Sequence, residues 1–168
     1  MTQSTTLATP ILSLDVGERR IGLAVCGEAR RIARPLGAVR RKRLTLDLAA
    51  ILRCVRQQRA GMVLIGLPYS LDGTIGPQAQ RTLQFCEILR AALRDGGLDV
   101  AVETWDERFT SVEAEHLLQA RGRLPSRASG RFDALAAALI LQSYLDAAQH
   151  RPQQQYQPPE APDTRGAL

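Results

Sequence analysis

The stretch Ile11-Leu12-Ser13-Leu14-Asp15-Val16-Gly17, followed within a few residues by Ile21-Gly22-Leu23-Ala24-Val25-Cys26, decides the fold. The first run alternates apolar and small residues and ends at Val16-Gly17, as a strand entering a tight turn does. The second is close enough to pair with it as a hairpin. Pro35 breaks the basic stretch that follows, and Leu36 to Val39 supply a third strand, at an edge because proline cannot donate to a ladder. Leu44, Leu48, Ile51, Leu52 and Val55 then recur at helical spacing, so 44–59 reads as an amphipathic helix. Met62-Val63-Leu64-Ile65-Gly66-Leu67 is almost wholly apolar, the pattern of a central strand covered on both faces. A polar loop, 69–76, leads to a helix over 77–95 closed by Gly96-Gly97.

Val100-Ala101-Val102 is the next short strand and runs into Glu103-Thr104-Trp105-Asp106-Glu107-Arg108. Thr110 or Ser111 can cap a helix reaching about Ala120. A loop over 122–130 precedes a final Ala- and Leu-rich helix over 131–148. Three antiparallel strands followed by right-handed α/β crossovers form a mixed five-stranded sheet with helices on both faces, and the first strand lies at its centre, beside 62–67. Ligands collect beyond the carboxyl ends of the parallel strands in such sheets. Asp15, Pro68 to Thr74, and Glu107 all fall there.

A chain of 168 residues fits one domain. We assign it to 11–149, with a flexible N-terminus over 1–10 and a disordered Pro- and Gln-rich tail over 150–168. No apolar run spans a bilayer, and Met1 to Pro10 lacks the features of a secretory signal, so a cytoplasmic location without membrane attachment is expected. Cys26, Cys54 and Cys86 have no ligand spacing and read as small hydrophobes. With His116 and His150 as the only histidines, the chemistry falls to carboxylates.

The charge is unevenly spread. Residues 1–60 hold 12 Arg or Lys against 4 Asp or Glu, and residues 61–168 hold 10 against 13. Arg30, Arg31, Arg34, Arg40, Arg41, Lys42 and Arg43 crowd one short stretch. Arginine offers phosphate a planar fork of donors, so this stretch, and Arg40, Arg41 and Arg43 in it, suits a nucleic-acid backbone. A solvated basic surface is the plainer alternative.

Three acidic residues carry the chemistry. Asp15 ends an apolar central strand, where an unpaired carboxylate needs a cation, donors or a proton. Asp106 and Glu107 are neighbours at a strand exit and point in different directions, so one can enter the site while the other pairs locally. Position leaves the pair open. We take Glu107 as the ligand, with Arg108 pairing with a carboxylate or contacting phosphate. Asp133 lies in the first turn of the last helix, where it either favours the helix dipole or is presented as a ligand by a helix whose Ala136, Ala137 and Ala138 permit close packing. Three carboxylates from separate elements suit Mg²⁺ or Mn²⁺, and two such ions can activate water and stabilise the leaving oxygen of a phosphodiester.

Asp15-x-Gly17 with Arg20-Ile21-Gly22-x-Ala24, Gly66-Leu67-Pro68 with Asp72-Gly73-Thr74, Asp106-Glu107-Arg108-Phe109-Thr110, and Asp133-x-x-Ala136-Ala137 with Ile140-Leu141-Gln142-x-Tyr144-Leu145 together resemble the YqgF family. Its members are bacterial RuvC-like proteins of RNase H fold, also described as Holliday junction resolvases. The match covers about 11–147. It implies an RNase H-like nuclease that processes the 5′ end of precursor 16S ribosomal RNA in ribosome biogenesis and acts on branched or single-stranded DNA. It also implies a cytoplasmic protein, and we expect a monomer or weak homodimer. It carries catalytic and metal-binding roles onto Asp15, Glu107 and Asp133, and places Arg20, Asp72, Thr74 and Arg108 at the substrate. Where the family often has lysine before the last acidic residue, this chain has Arg127, Ser129, Gly130 and Arg131. A noncatalytic RNA-binding assembly factor on the same fold is the rival reading. A sugar-kinase-like phosphotransferase would need a second domain and further phosphate loops.

Overall fold

The computed structural model describes residues 9–29, 32–109 and 130–150. Its strands are β1 (Ile11–Val16), β2 (Arg20–Cys26), β3 (Arg34–Arg40), β4 (Met62–Leu67) and β5 (Ala101–Asp106), and its helices are α1 (Leu44–Gln58), α2 (Pro77–Asp95) and α3 (Gly130–His150). A single 3-10 turn, Glu107–Phe109, follows β5. The sheet order is β3-β2-β1-β4-β5. β2 is antiparallel to β1 and to β3, whereas β4 is parallel to β1 and to β5. The expected mixed sheet with β1 at its centre is therefore present.

Two layers of side chains fix the helices. Leu12, Leu14 and Val16 point to one face and pack with Ile51 and Val55 of α1 and Phe85, Leu89 and Leu93 of α2. Ile11, Met62 and Leu64 point to the other face, against Ile140, Leu141 and Leu145 of α3. Ala24 meets Ala137 and Ala138, so the small residues of α3 do bring its backbone close to the sheet. Cys26 and Cys86 are buried and Cys54 is half-buried, all three as free thiols.

Two strands are longer than their apolar patterns suggest. β3 starts at Arg34 and contains Pro35, which the edge position tolerates; a bulge lies opposite Leu23 and Ala24. β5 runs on to Asp106 because an edge strand can expose Glu103 and Thr104 and still complete its ladder with β4. Of the N-terminal segment, Pro10 is tied down by its carbonyl, which accepts from the Gly61 amide at 3.0 Å. The helix expected near 110–120, most of the loop over 122–130 and the tail beyond His150 lie outside the described residues. Among the described residues no helix is long and apolar enough to cross a membrane.

Candidate metal and nucleic-acid site

β1 turns into β2 through Gly17, whose amide donates to the Arg20 carbonyl at 2.9 Å. This tight turn places Asp15 opposite Gly22. Alternation puts Asp15 on the face of Ile11 and Ser13, toward α3. At Gly22 a Cβ would lie 1.9 Å from the Asp133 carbonyl oxygen, so the first turn of α3 rests directly on β2. Only a residue without a side chain permits that approach, which is how Asp133 comes to face Asp15.

Glu107 reaches the same place from the far side of β4. Trp105, opposite Gly66 in register, donates from Nε1 to Ser143 Oγ at 3.0 Å and meets Tyr144 edge to face at 5.3 Å, fixing the end of β5 against α3. The 3-10 turn then swings Glu107 over Gly66, where a Cβ would stand 2.6 Å from Glu107 Oε1 and 2.5 Å from Ile140 Cδ1.

The electrostatics record this convergence. Burial, and then the charge of Asp133, push Asp15 up to about 6. Burial, and then the charges of Asp15 and Asp106, push Glu107 up to about 7. Asp133 Oδ2 is buried and has no hydrogen-bond partner among the described residues. The Arg20 guanidinium is 3.8 Å from it, too far for a direct bond. Ser13 Oγ, two residues before Asp15 on the same face, is likewise buried without a hydrogen-bond partner among the described residues.

These groups suit a hard divalent cation. The donors are all oxygen, the carboxylates crowd one another's charge, and one carboxylate oxygen has no hydrogen-bond partner among the described residues. As they stand, no three His, Cys, Asp or Glu side chains among the described residues are close enough to hold one ion jointly. Holding one ion with all three carboxylates would need side-chain rotation that draws them together, whereas Mg²⁺ usually takes one or two carboxylates with waters.

Asp106 takes the other role. It grips Arg108, accepting from Nε at 3.0 Å and Nη2 at 2.6 Å, which holds its own carboxyl below the usual range. The Arg108 guanidinium lies 5.1 Å from the centre of the Tyr69 ring. Asp72 accepts from the Thr74 amide at 3.0 Å and hydroxyl at 2.7 Å, so these two residues shape the neighbouring loop.

The basic stretch divides. Arg40 pairs in register with Arg20 at the Asp15 end of the sheet and is exposed, and Arg43 is exposed just before α1. Arg41 turns to the opposite face, donating to the Gly17 carbonyl at 2.9 Å and to Asp47 at 3.3 Å, with its guanidinium over Phe85. Asp47 is only 3% exposed, and its other oxygen accepts from the Lys42 amide at 3.1 Å. Arg41 thus joins the strand turn to the start of α1. Sequence reasoning missed the packing roles of Gly22 and Gly66, whose only signal was a glycine inside a buried strand. It also passed over Tyr69, which nothing but its place after Pro68 marks.

Comparison with known proteins agrees with the motifs. A family profile described as "RuvX: Holliday junction resolvase" matches residues 9–147. A protein of Chloroflexus aurantiacus is 39% identical over 153 residues, covering 91% of this chain and 97% of its own length. One from Synechococcus elongatus is 43% identical over 135 residues, covering 80% and 87%. Both are named "Putative pre-16S rRNA nuclease". Among solved structures, Thermus thermophilus RuvC in complex with a Holliday junction substrate matches with a TM-score of 0.57 at 20% identity, covering 83% of this chain and 96% of that one. That likeness is one of fold, the RNase H-like sheet with its helices. The chain belongs to the RuvX family, the one its motifs resemble under the name YqgF.

Proposed function

We propose that this protein is a divalent-metal-dependent nuclease of the cytoplasm that processes the 5′ end of precursor 16S ribosomal RNA and also accepts branched DNA. The observation that carries the reading is the approach of Asp15, Glu107 and Asp133 from three separate elements, with two of them raised by burial and mutual charge. Membership of a resolvase family and relatives named as rRNA nucleases support it.

Asp15, Glu107 and Asp133 would hold Mg²⁺ or Mn²⁺, as two ions, which would supply water activation and charge stabilisation at the scissile phosphate. Gly22 and Gly66 keep the carboxylates near one another. Arg20, beside Asp133, stands where it can offset carboxylate charge or meet a phosphate oxygen. Arg40 and Arg43 face solvent and can follow the backbone of the strand. Asp72 and Thr74 shape the loop that borders the substrate, and Arg41 supports the β1–β2 turn from behind.

Purified protein given a precursor rRNA fragment, a single strand and a four-way DNA junction, with and without Mn²⁺, tests the reading. Cleavage that needs both the metal and Asp15 is expected. Tight binding to precursor rRNA without cleavage under any metal would instead leave a noncatalytic assembly factor.

A further inference from the structure

Arg108 differs in kind from the other arginines near the carboxylates. Its Nε and Nη2 are engaged side-on by Asp106, its own amide donates to Asp106 Oδ1 at 2.9 Å, and its guanidinium carbon lies over the Tyr69 ring. Its Nη1 points toward Gly73, which has a φ of +84° in the 69–76 loop and where a Cβ would come within 3.2 Å of that nitrogen. The loop is itself braced: the Ser70 amide donates to the Thr74 carbonyl at 3.0 Å and the Gly73 amide to the Ser70 carbonyl at 2.8 Å.

A guanidinium has five donors in a fixed plane, and a side-on carboxylate occupies two of them. The Nη1/Nη2 end keeps three, held in one orientation before any ligand arrives. Its charge, however, is spent. Asp106 neutralises it, and Asp72 adds a further negative charge nearby. Such a group attracts a phosphate weakly, because phosphate binding rests on net positive charge. It remains well suited to a neutral ligand with two acceptors side by side. The surroundings also favour a base over a phosphate. Leu71, at the tip of the same loop, is 99% exposed, and Ile75 is 47% exposed, giving apolar surface that a base face or sugar can cover.

Resting on the nuclease reading above, we propose that Arg108 is a specificity-determining residue that reads the O6/N7 edge of a guanine at or next to the bond cut beside Glu107, with Asp106 and Tyr69 as positioning residues. On the edge that stays open when a base is paired, guanine is the base that offers two acceptors, O6 and N7, and arginine fits them bidentately. The location follows from the chain, since Arg108 is the residue after Glu107.

The test uses full-length protein and short single strands carrying one guanine, or 7-deazaguanine in its place, made as RNA and as DNA. Binding is measured in EDTA across a salt series, and cleavage sites are mapped with Mn²⁺ on a randomised pool. Wild type should prefer guanine over 7-deazaguanine by about 5- to 100-fold in at least one of the two backbones. Arg108→Ala and Arg108→Lys should lose that preference while the salt slope stays as it was. Asp106→Asn should lose the preference and steepen the slope by about 0.7, because it frees the charge of Arg108 for a phosphate. Tyr69→Phe should keep the preference and Tyr69→Ala should reduce it, a contrast that loss of folding would not produce. A slope that falls by about 0.7 in Arg108→Ala would make the residue a phosphate ligand and overturn the proposal. Absence of guanine preference in both backbones would overturn it too, and cleavage would still stand. Guanine-selective binding without cleavage would support the base contact and overturn the nuclease reading.

Discussion

Glu107 lies over Gly66 so closely that a methyl group on that glycine would stand 2.6 Å from the carboxylate oxygen. A central strand that should be covered by side chains on both faces has an opening at this point, and the acidic residue leaving β5 occupies it. Gly22 plays the same part on the opposite side of β1, where the obstacle is the backbone of α3 at Asp133. The two contacts differ in what can yield.

Gly66→Ala meets only side-chain atoms, which can move aside. It should cost about 1–3 kcal/mol of stability and reduce cleavage more than tenfold by displacing Glu107. Gly22→Ala meets a backbone carbonyl at 1.9 Å, so α3 must lift from the sheet, and the loss should exceed that of Gly66→Ala. Urea denaturation of both variants ranks them. A Gly22→Ala variant as stable as wild type would show that α3 does not rest directly on β2.

Asp15→Asn should abolish metal-dependent cleavage and yet stabilise the metal-free protein near pH 8. Burial and Asp133 raise Asp15 to about 6, so its ionised form is unfavourable in the folded state. A neutral amide of the same shape removes that penalty. A gain of about 1–3 kcal/mol, or roughly 2–10 °C in Tm, is expected. Differential scanning calorimetry in EDTA measures it, and a lower Tm would mean that the carboxylate is held by favourable contacts.

The metal-free protein should lose stability as pH rises. Asp15 and Glu107 both have folded values above their ordinary ones, about 6 and about 7. The folded state therefore binds more protons than the unfolded state between about pH 4 and pH 8, and stability falls across that window. Each group contributes about 3 kcal/mol at the upper bound. Mn²⁺ should restore the loss at pH 8 and have little effect at pH 5. Thermal melts at several pH values, with and without the ion, decide this, and a pH-independent Tm in EDTA would count against the carboxylate cluster.

Arg40 and Arg41 are neighbours that should behave differently. Arg40→Ser, combined with Arg43→Ser, should flatten the dependence of nucleic-acid binding on salt by about 0.7–0.9 for each phosphate that is no longer neutralised. Arg41→Ser should leave the salt slope nearly unchanged and cost about 1–3 kcal/mol of stability, because it strips a partner from buried Asp47. Filter binding across a salt series together with urea melts separates the two. Equal effects on the slope would place Arg41 on the nucleic acid as well.

The amino-acid sequence by itself determined the order of elements, the central place of β1 and the end of the sheet at which Asp15 and Glu107 gather. Those features follow from apolar alternation and content, which encode burial locally, and from the rules that join neighbouring strands. The motifs from Asp15 to Leu145 were equally legible and led to the right family. Tertiary structure alone decided that Gly22 and Gly66 make room for the carboxylates, because that depends on contacts with Asp133 and Glu107, far along the chain. It also parted Asp106 from Glu107 and Arg41 from Arg40. Adjacent side chains at a strand end differ by which face they leave from. That choice is set by register and by the helix packed alongside, and neither is written in the local pattern.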